Sequence, residues 1–245
     1  PCTEEELVRN TFTTLWYGVN ASTFGDMSRT FIVDRSDFRG CVRGIRMEGI
    51  QDAGITLNTF EVGDLPVGDL AVTPYGVYSD QCTGYEIEEN AFGIGSHSSA
   101  LKKVGLVIKD SGKNYNTFYN NTFDALHVGS LIEGGNASAD EITGLEIKCN
   151  DYGLTTKCDF DVALTGEAVK IQKTQGMPLV VQDPSTYMNP AGNRFSIGHN
   201  GSFHPEEDWL VEDDASTAPD YFHHIASTVD RTEPVYAEEP QDIVR

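Results

Sequence analysis

The feature that most constrains this chain is an irregular internal repeat. The triplet Asn-x-Phe/Tyr occurs as Asn10-Thr11-Phe12, Asn58-Thr59-Phe60, Asn90-Ala91-Phe92, Asn116-Thr117-Phe118, Asn121-Thr122-Phe123, Asn150-Asp151-Tyr152 and Asn193-Arg194-Phe195, with Ser36-Asp37-Phe38 as a looser copy. Taken at aromatic positions 12, 38, 60, 92, 118 and 152, the intervals are 26, 22, 32, 26 and 34 residues. A period of that size belongs to solenoid repeats. Upstream of most triplets stands a glycine followed by alternating apolar residues, as in Gly54-Ile55-Thr56-Leu57, Gly84-Tyr85-Glu86-Ile87, Gly105-Leu106-Val107-Ile108 and Gly144-Leu145-Glu146-Ile147. Gly44-Ile45-Arg46-Met47 and Gly76-Val77-Tyr78 are further copies.

Alternation over four or five residues predicts short strands with one buried face, and the Gly and Asn punctuation predicts a turn after each. Only Glu4 to Arg9 and short stretches near the C-terminus fit a helical pattern. Two or three strands per turn, in six to eight turns, predict an all-β parallel solenoid whose rungs stack ~4.8 Å apart. Asn10, Asn58, Asn90, Asn116, Asn121, Asn150 and Asn193 are the expected corner residues. Asparagine tolerates left-handed backbone, bonds its own neighbours and can stack from rung to rung as a ladder. The aromatic that follows each is expected to stack inside the coil.

The segments Thr83-Gly84-Tyr85-Glu86-Ile87-Glu88-Glu89-Asn90-Ala91-Phe92, Tyr119-Asn120-Asn121-Thr122-Phe123-Asp124-Ala125-Leu126 and Thr143-Gly144-Leu145-Glu146-Ile147-Lys148-Cys149-Asn150-Asp151-Tyr152 resemble the right-handed parallel β-helix repeats of large proteins secreted by Bacteroidota. Those proteins commonly leave the cell by the type IX route. The resemblance covers roughly residues 10 to 200 and implies a right-handed parallel β-helix located outside the cell or on its surface. It says little of activity, because one fold hosts many functions. The helix is expected over residues 1–204. From Pro205 to Arg245 twelve Asp and Glu stand against two Arg, which marks an irregular acidic cap or linker.

The charge narrows the partners. With 17 Lys and Arg against 38 Asp and Glu, the formal net charge is −21. Nucleic acid is excluded as an expected partner, since its phosphates are held mainly by Lys and Arg. Anionic membrane surfaces are disfavoured in the same way, and no apolar run reaches the ~18 residues of a membrane span. The chain opens Pro1-Cys2, which fits a processed chain or a piece of a longer one. Of five cysteines none forms a C-x-x-C. Cys149 and Cys158 are a candidate disulfide between neighbouring strands, with two buried reduced thiols as the alternative.

A search for chemistry finds no complete catalytic set. Asp151, Asp159 and Asp161 lie near Lys148 and Lys157, but no arginine stands between Arg46 and Arg194 to act as the base of a lyase. Gly198-His199-Asn200-Gly201 is a poor echo of a polygalacturonase motif. His199, His204, His223 and His224 gather near Glu206 and Asp208, a grouping read as packing within a cap rather than as metal ligands. No cofactor is expected; calcium on the acidic tail or rung loops is an option. Loops are expected at 61–75, Gly93–Leu101 and Gly134–Glu141.

The expected function is therefore that of a non-catalytic extracellular β-helix module of a large surface or appendage protein, serving structure, assembly or adhesion. Its expected partners are other copies or other domains of the same protein, and glycans. The alternative is a carbohydrate-binding or polysaccharide-cleaving protein. Tyr75, Tyr78, Tyr85, Tyr115 and Tyr119 are the candidate glycan contacts, to be favoured if they stand exposed on one face.

Overall fold

A computed structural model of the protein describes residues 8–23, 30–64, 72–98, 102–112, 114–153, 156–177, 189–196, 207–211, 219–221 and 236–237. The chain winds through three parallel sheets in turn. The first, partial coil holds β1 (Asn10–Thr13) and β2 (Tyr17–Ser22). Five complete coils follow: β3 (Phe31–Asp34), β4 (Ser36–Cys41) and β5 (Arg43–Glu48); β6 (Ala53–Thr56), β7 (Thr59–Val62) and β8 (Tyr75–Asp80); β9 (Glu86–Glu88), β10 (Ala91–Gly93) and β11 (Val104–Lys109); β12 (Asn116–Tyr119), β13 (Thr122–Asp124) and β14 (Val128–Gly135); β15 (Leu145–Lys148), β16 (Asp151–Tyr152) and β17 (Phe160–Lys170). Beyond them lie β18 (Thr174–Met177), β19 (Asn189–Pro190), β20 (Glu207–Val211), β21 (Asp220–Tyr221) and β22 (Tyr236–Ala237).

Every third strand hydrogen-bonds to the next of its kind. Sheet A is β1-β4-β7-β10-β13-β16, sheet B is β2-β5-β8-β11-β14-β17-β20-β22, and sheet C is β3-β6-β9-β12-β15. This is a β-solenoid of about five turns, with no helix among the described residues, against six to eight expected. Sheet B runs on through β20 and β22, inside the segment that the composition marks as cap or linker.

The interior is organised as columns. Phe12, Phe38, Phe60, Phe92, Phe123 and Tyr152 stack with ring centroids 4.7–4.9 Å apart and planes within 14° of parallel. Each such aromatic pair adds about 0.5–1.5 kcal/mol beyond its buried area. The stack is accommodated by a second column, Gly18, Gly44, Gly76, Gly105 and Gly129, in the facing sheet B. At Gly105 an added Cβ would lie 2.7 Å from both the Phe123 ring and the carbonyl oxygen of Gly129. The repeated glycine thus serves two different purposes. Gly44, Gly76 and Gly105 make room for rings, whereas Gly54, Gly84 and Gly144 belong to sheet C and the turns that enter it.

A third column is the asparagine ladder. The side-chain oxygens of Asn90, Asn121, Asn150 and Asn193 each accept two hydrogen bonds, from the backbone N–H and the Nδ2 of the asparagine one coil earlier, at 2.9–3.1 Å. Each Nδ2 also donates to a main-chain carbonyl, as from Asn121 to Ile87 at 2.9 Å and from Asn193 to Ile147 at 2.7 Å. Asn58 starts the ladder and accepts from the Ser36 N–H at 2.9 Å.

Three expectations are corrected by this arrangement. The left-handed residue at this corner is the one before the ladder position, Arg35, Leu57, Glu89, Asn120, Cys149 and Gly192, with φ between 48° and 73°. The asparagines are needed for their side chains. Asn116 does not belong to the ladder: it opens β12, and its Oδ1 accepts from the Gly84 N–H at 2.7 Å. Phe118 accordingly packs edge-on to Phe123 instead of joining the stack. Asn10 lies in register with Ser36 but is exposed. Lastly, Cys149 and Cys158 are free thiols. Cys149 stands exposed at the corner between sheets C and A, whereas Cys158 is 1 % exposed at the corner between A and B. They sit at different corners of the coil, with β16 between them.

Replacing Asn121 by Ala would leave the buried N–H of Asn90 without its acceptor and its Nδ2 with the Ile55 carbonyl alone, at 2.8 Å. Each orphaned buried group costs about 1–3 kcal/mol. Asn121→Ala is therefore expected to lower unfolding stability by about 3 kcal/mol in urea titration. Asn10→Ala, at the exposed end of the column, is expected to leave the midpoint within experimental error. Equal effects would show that the ladder does not support the fold.

Candidate binding face on sheet B

In β5 Gly44, Ile45 and Met47 are buried while Arg43, Arg46 and Glu48 are half-buried. Register extends the outer positions into two long columns, Tyr17–Arg43–Tyr75–Val104–Val128–Phe160 and Asn20–Arg46–Tyr78–Val107–Leu131–Ala163. From β11 onward this face is apolar and buried, and it forms a hydrophobic cluster separate from the interior one. At β2, β5 and β8 it carries aromatic rings and two arginines.

Arg43 is the unusual member. Its guanidinium carbon lies 5.0 Å from the Tyr17 ring centre, 5.5 Å from Tyr75 and 5.7 Å from Trp16. Such cation–π contacts contribute about 0.5–2 kcal/mol each. Its Nη1 donates to the Tyr17 hydroxyl, but Nε is buried with no acceptor. Arg9, Arg35, Arg39, Arg46 and Arg194 each pair with a carboxylate. Arg43, among the described arginines, does not. Beside it Trp16 and Leu15 are 36 % and 41 % exposed. Burial raises the Tyr75 phenol, opposed in part by the Arg43 charge, and burial with Asp80 and Glu133 pushes Tyr78 up to about 12. Both phenols stay neutral at ordinary pH, and Tyr78 donates to Asp80 at 3.3 Å.

The corner between sheets A and B holds the second group of polar residues. Lys103 is fully buried, and its Nζ donates to the Val62 carbonyl at 3.1 Å and to Asp64 Oδ1 at 2.8 Å. The Ser98 N–H donates to Asp64 Oδ2 at 3.3 Å, and His97 Nδ1 lies 3.4 Å from the same oxygen. Burial alone would raise the Asp64 carboxyl, but Lys103, the Ser98 N–H and His97 outweigh it and hold the group below its ordinary value. One rung on, His127 Nδ1 is 2.8 Å from Asp159 Oδ2, and its Nε2 is buried without a partner. The imidazole packs edge-on to Phe160.

The five tyrosines of the glycan reading do not share one face. Tyr85 is 1 % exposed in the interior, Tyr75 and Tyr78 lie on the outer face of sheet B, and Tyr115 and Tyr119 are exposed at sheet C. The three aspartates of the lyase reading also diverge. Asp151 pairs with Arg194 at 3.2 Å, Asp159 with His127, and Asp161 is buried and accepts from the Ser196 N–H and hydroxyl, both at 2.6 Å. His199, His204, His223, His224 and Glu206 lie outside the described residues, as do the side chain of Asp208, the Cys2 thiol, residues 65–71 of the 61–75 loop and residues 99–101 of the 93–101 loop. Among the described residues no three His, Cys, Asp or Glu come together as a metal site. Sequence reading missed Arg43 and Trp16; the one available signal was an arginine between two aromatics in register, Tyr17 and Tyr75. Compared with family models, curated proteins and solved structures, the chain matches none of them.

The Asp64–Lys103 pair is asymmetric: the cation is buried and the carboxylate is 40 % exposed. Removing the exposed partner strands a buried charge, and removing the buried one does not. Asp64→Asn is thus expected to lower the melting temperature several degrees more than Lys103→Met. Because the folded Asp64 carboxyl lies below its ordinary 3.8, its contribution is present above that value and fades as pH falls through the folded one. The acid limb of the stability profile should be shallower in Asp64→Asn. A steeper limb would refute the pairing.

The cysteines give a direct check. Burial raises the Cys41, Cys82 and Cys158 thiols and shields them. A thiol reagent is expected to label Cys149 rapidly in the folded protein and the other three only on unfolding. Quick native labelling of Cys158 would contradict its place inside the coil.

Proposed function

We propose that this chain is a non-catalytic β-solenoid module of a larger extracellular surface or appendage protein, serving structure, assembly or adhesion. The observation that carries the reading is the use to which the interior is put. The aromatic, glycine and asparagine columns run unbroken through successive coils, so each buried side chain stiffens its neighbours in the rungs on either side. The first rung adds a second support. Among the described strands β1, β2 and β3 each pair on one side only, and Val8, Leu15, Trp16 and Ile32 are exposed there. A strand edge with apolar side chains is a template for another chain or domain. The likeness to secreted β-helix repeats supports a place outside the cell.

The carbohydrate reading is favoured by the aromatic and arginine cluster at Trp16, Tyr17 and Arg43. Light scattering and electron microscopy on protein purified from its source without proteolysis separate the two. Filaments or multi-chain assemblies are the expected result, and a small free monomer would overturn the assembly reading. Assays for new reducing ends or unsaturated uronates over a polysaccharide panel are expected to stay blank. Product formation would overturn the non-catalytic reading.

A further inference from the structure

We propose that Arg43 is the anchor of a binding site for an acidic sugar, one bearing a carboxylate or a sulfate, on the outer face of sheet B. Such a site rests on the carbohydrate reading, to which it gives a ligand class, and stands whether or not the chain is part of a larger assembly.

Charge singles this arginine out. In a chain with 38 acidic residues, an arginine beside an acid is the ordinary outcome, and the five other described arginines show it. Arg43 is surrounded by the rings of Trp16, Tyr17 and Tyr75, and among its side-chain nitrogens only Nη1 makes a hydrogen bond to a described residue, Tyr17. Its Nε–H is buried without an acceptor. A guanidinium presents a rigid fork of donors that matches two oxygens of a carboxylate or sulfate, and here Nη2, beside the Nη1 held by Tyr17, has no partner among the described residues, while Nε is closed off from solvent. The rings hold the side chain in place in advance, so little freedom is lost on binding.

The surroundings favour a sugar over a bare anion. Trp16 is about one-third exposed beside the guanidinium, and an indole face covers the C–H face of a pyranose ring. Arg46, three residues along β5 and tied to Glu48 at 2.7 Å, and Asn20 in register with it extend the donor row along the same face. The net charge of −21 repels an anion at a distance, but at 0.15 M salt that repulsion decays over about 8 Å, whereas contact with Arg43 is made among the rings of Trp16, Tyr17 and Tyr75.

Binding is tested on the full chain by isothermal titration with oligogalacturonate, a sulfated oligosaccharide, a neutral oligosaccharide of equal length, sodium acetate and sodium sulfate. Saturable binding of at least one acidic oligosaccharide is expected, with at least tenfold weaker binding of the neutral one and of the free salts. Arg43→Gln is expected to weaken it tenfold or more, Trp16→Ala several-fold, and Arg43→Lys to restore part of the loss. Melting temperature is recorded for each variant, and Ile142→Ala, exposed in the turn before β15 and away from Arg43, serves as the control expected to bind normally. If neutral and acidic sugars bind alike, or acetate or sulfate binds as tightly as the oligosaccharide, the acidic-sugar assignment is overturned. No binding to any acidic oligosaccharide overturns the site. An Arg43→Gln protein that melts normally and still binds moves the sugar elsewhere on the solenoid and overturns Arg43 as its anchor, while leaving the carbohydrate reading intact.

Discussion

In a parallel, in-register stack each side chain meets the same position of the next coil about 4.8 Å away. That single spacing dictates which residues the interior accepts. Flat rings tolerate it, since 4.7–4.9 Å is a comfortable offset-stacking distance. Asparagine tolerates it because its amide both donates and accepts along the stacking direction. Charges do not, and the exterior reflects this. On sheet C the columns read Ile32–Gly54–Glu86–Thr117–Glu146 and Asp34–Thr56–Glu88–Tyr119–Lys148, so no two carboxylates stand directly in line. Like charges placed opposite each other destabilise a sheet. Even so, burial together with Glu86 and Glu89 raises the Glu88 carboxyl. The exception is on sheet B, where Glu48 stands opposite Asp80 and each is tied to its own neighbour, Glu48 to Arg46 at 2.7 Å and Asp80 to the Tyr78 hydroxyl at 3.3 Å.

The corners solve a separate problem. Turning from one sheet to the next requires a single residue in left-handed conformation, and non-glycine residues such as Leu57, Gln81, Glu89 and Ala125 occupy it. Each costs on the order of 1–2 kcal/mol relative to ordinary backbone. Burial of the succeeding residue offsets that cost. At the corner between sheets C and A this residue is a ladder asparagine; between B and C it is Ile50, Cys82 or Ser111, all buried. The same turn geometry serves all three corners, Ala125 with the buried Leu126 after it lying between A and B, and only the corner between C and A shows as a sequence motif.

That difference sets how much of the fold is legible in the sequence. The strands, their parallel stacking and the aromatic column follow from alternation and the Asn-x-aromatic triplet, because stacking forces the same residue type to recur. The true register is obscured where two near-identical triplets stand five residues apart, Asn116-Thr117-Phe118 and Asn121-Thr122-Phe123, on either side of one corner. It is obscured again by loops. Between Phe38 and Phe60 sheet A advances 22 residues, while between Gly44 and Gly76 sheet B advances 32, because residues 63–74 are inserted between β7 and β8. No fixed period exists for a pattern search to find. Contacts between columns, such as Trp16 with Arg43 or Asp64 with Lys103, are invisible until that register is known.

Function is most legible in such a fold where a residue departs from its column. Asp161 takes the place that Gly129 holds one coil earlier, and it is a buried acid in a glycine column. Its departure is satisfied from within, for the Ser196 N–H and hydroxyl complete the carboxylate at the point where the ring spacing opens to 5.9 Å between Tyr152 and Phe195. Asp161 is thereby explained as a structural adjustment at the end of the stack. Arg43 is likewise a departure, a cation between Tyr17 and Tyr75, but the described fold does not complete it: Nε is buried and unpaired in a protein with an excess of carboxylates. Burying a donor without an acceptor destabilises a fold, so its retention there calls for a compensating role. The two departures differ in what meets them. One is closed by a neighbouring serine, and the other keeps a buried donor unpaired beside a partly exposed indole.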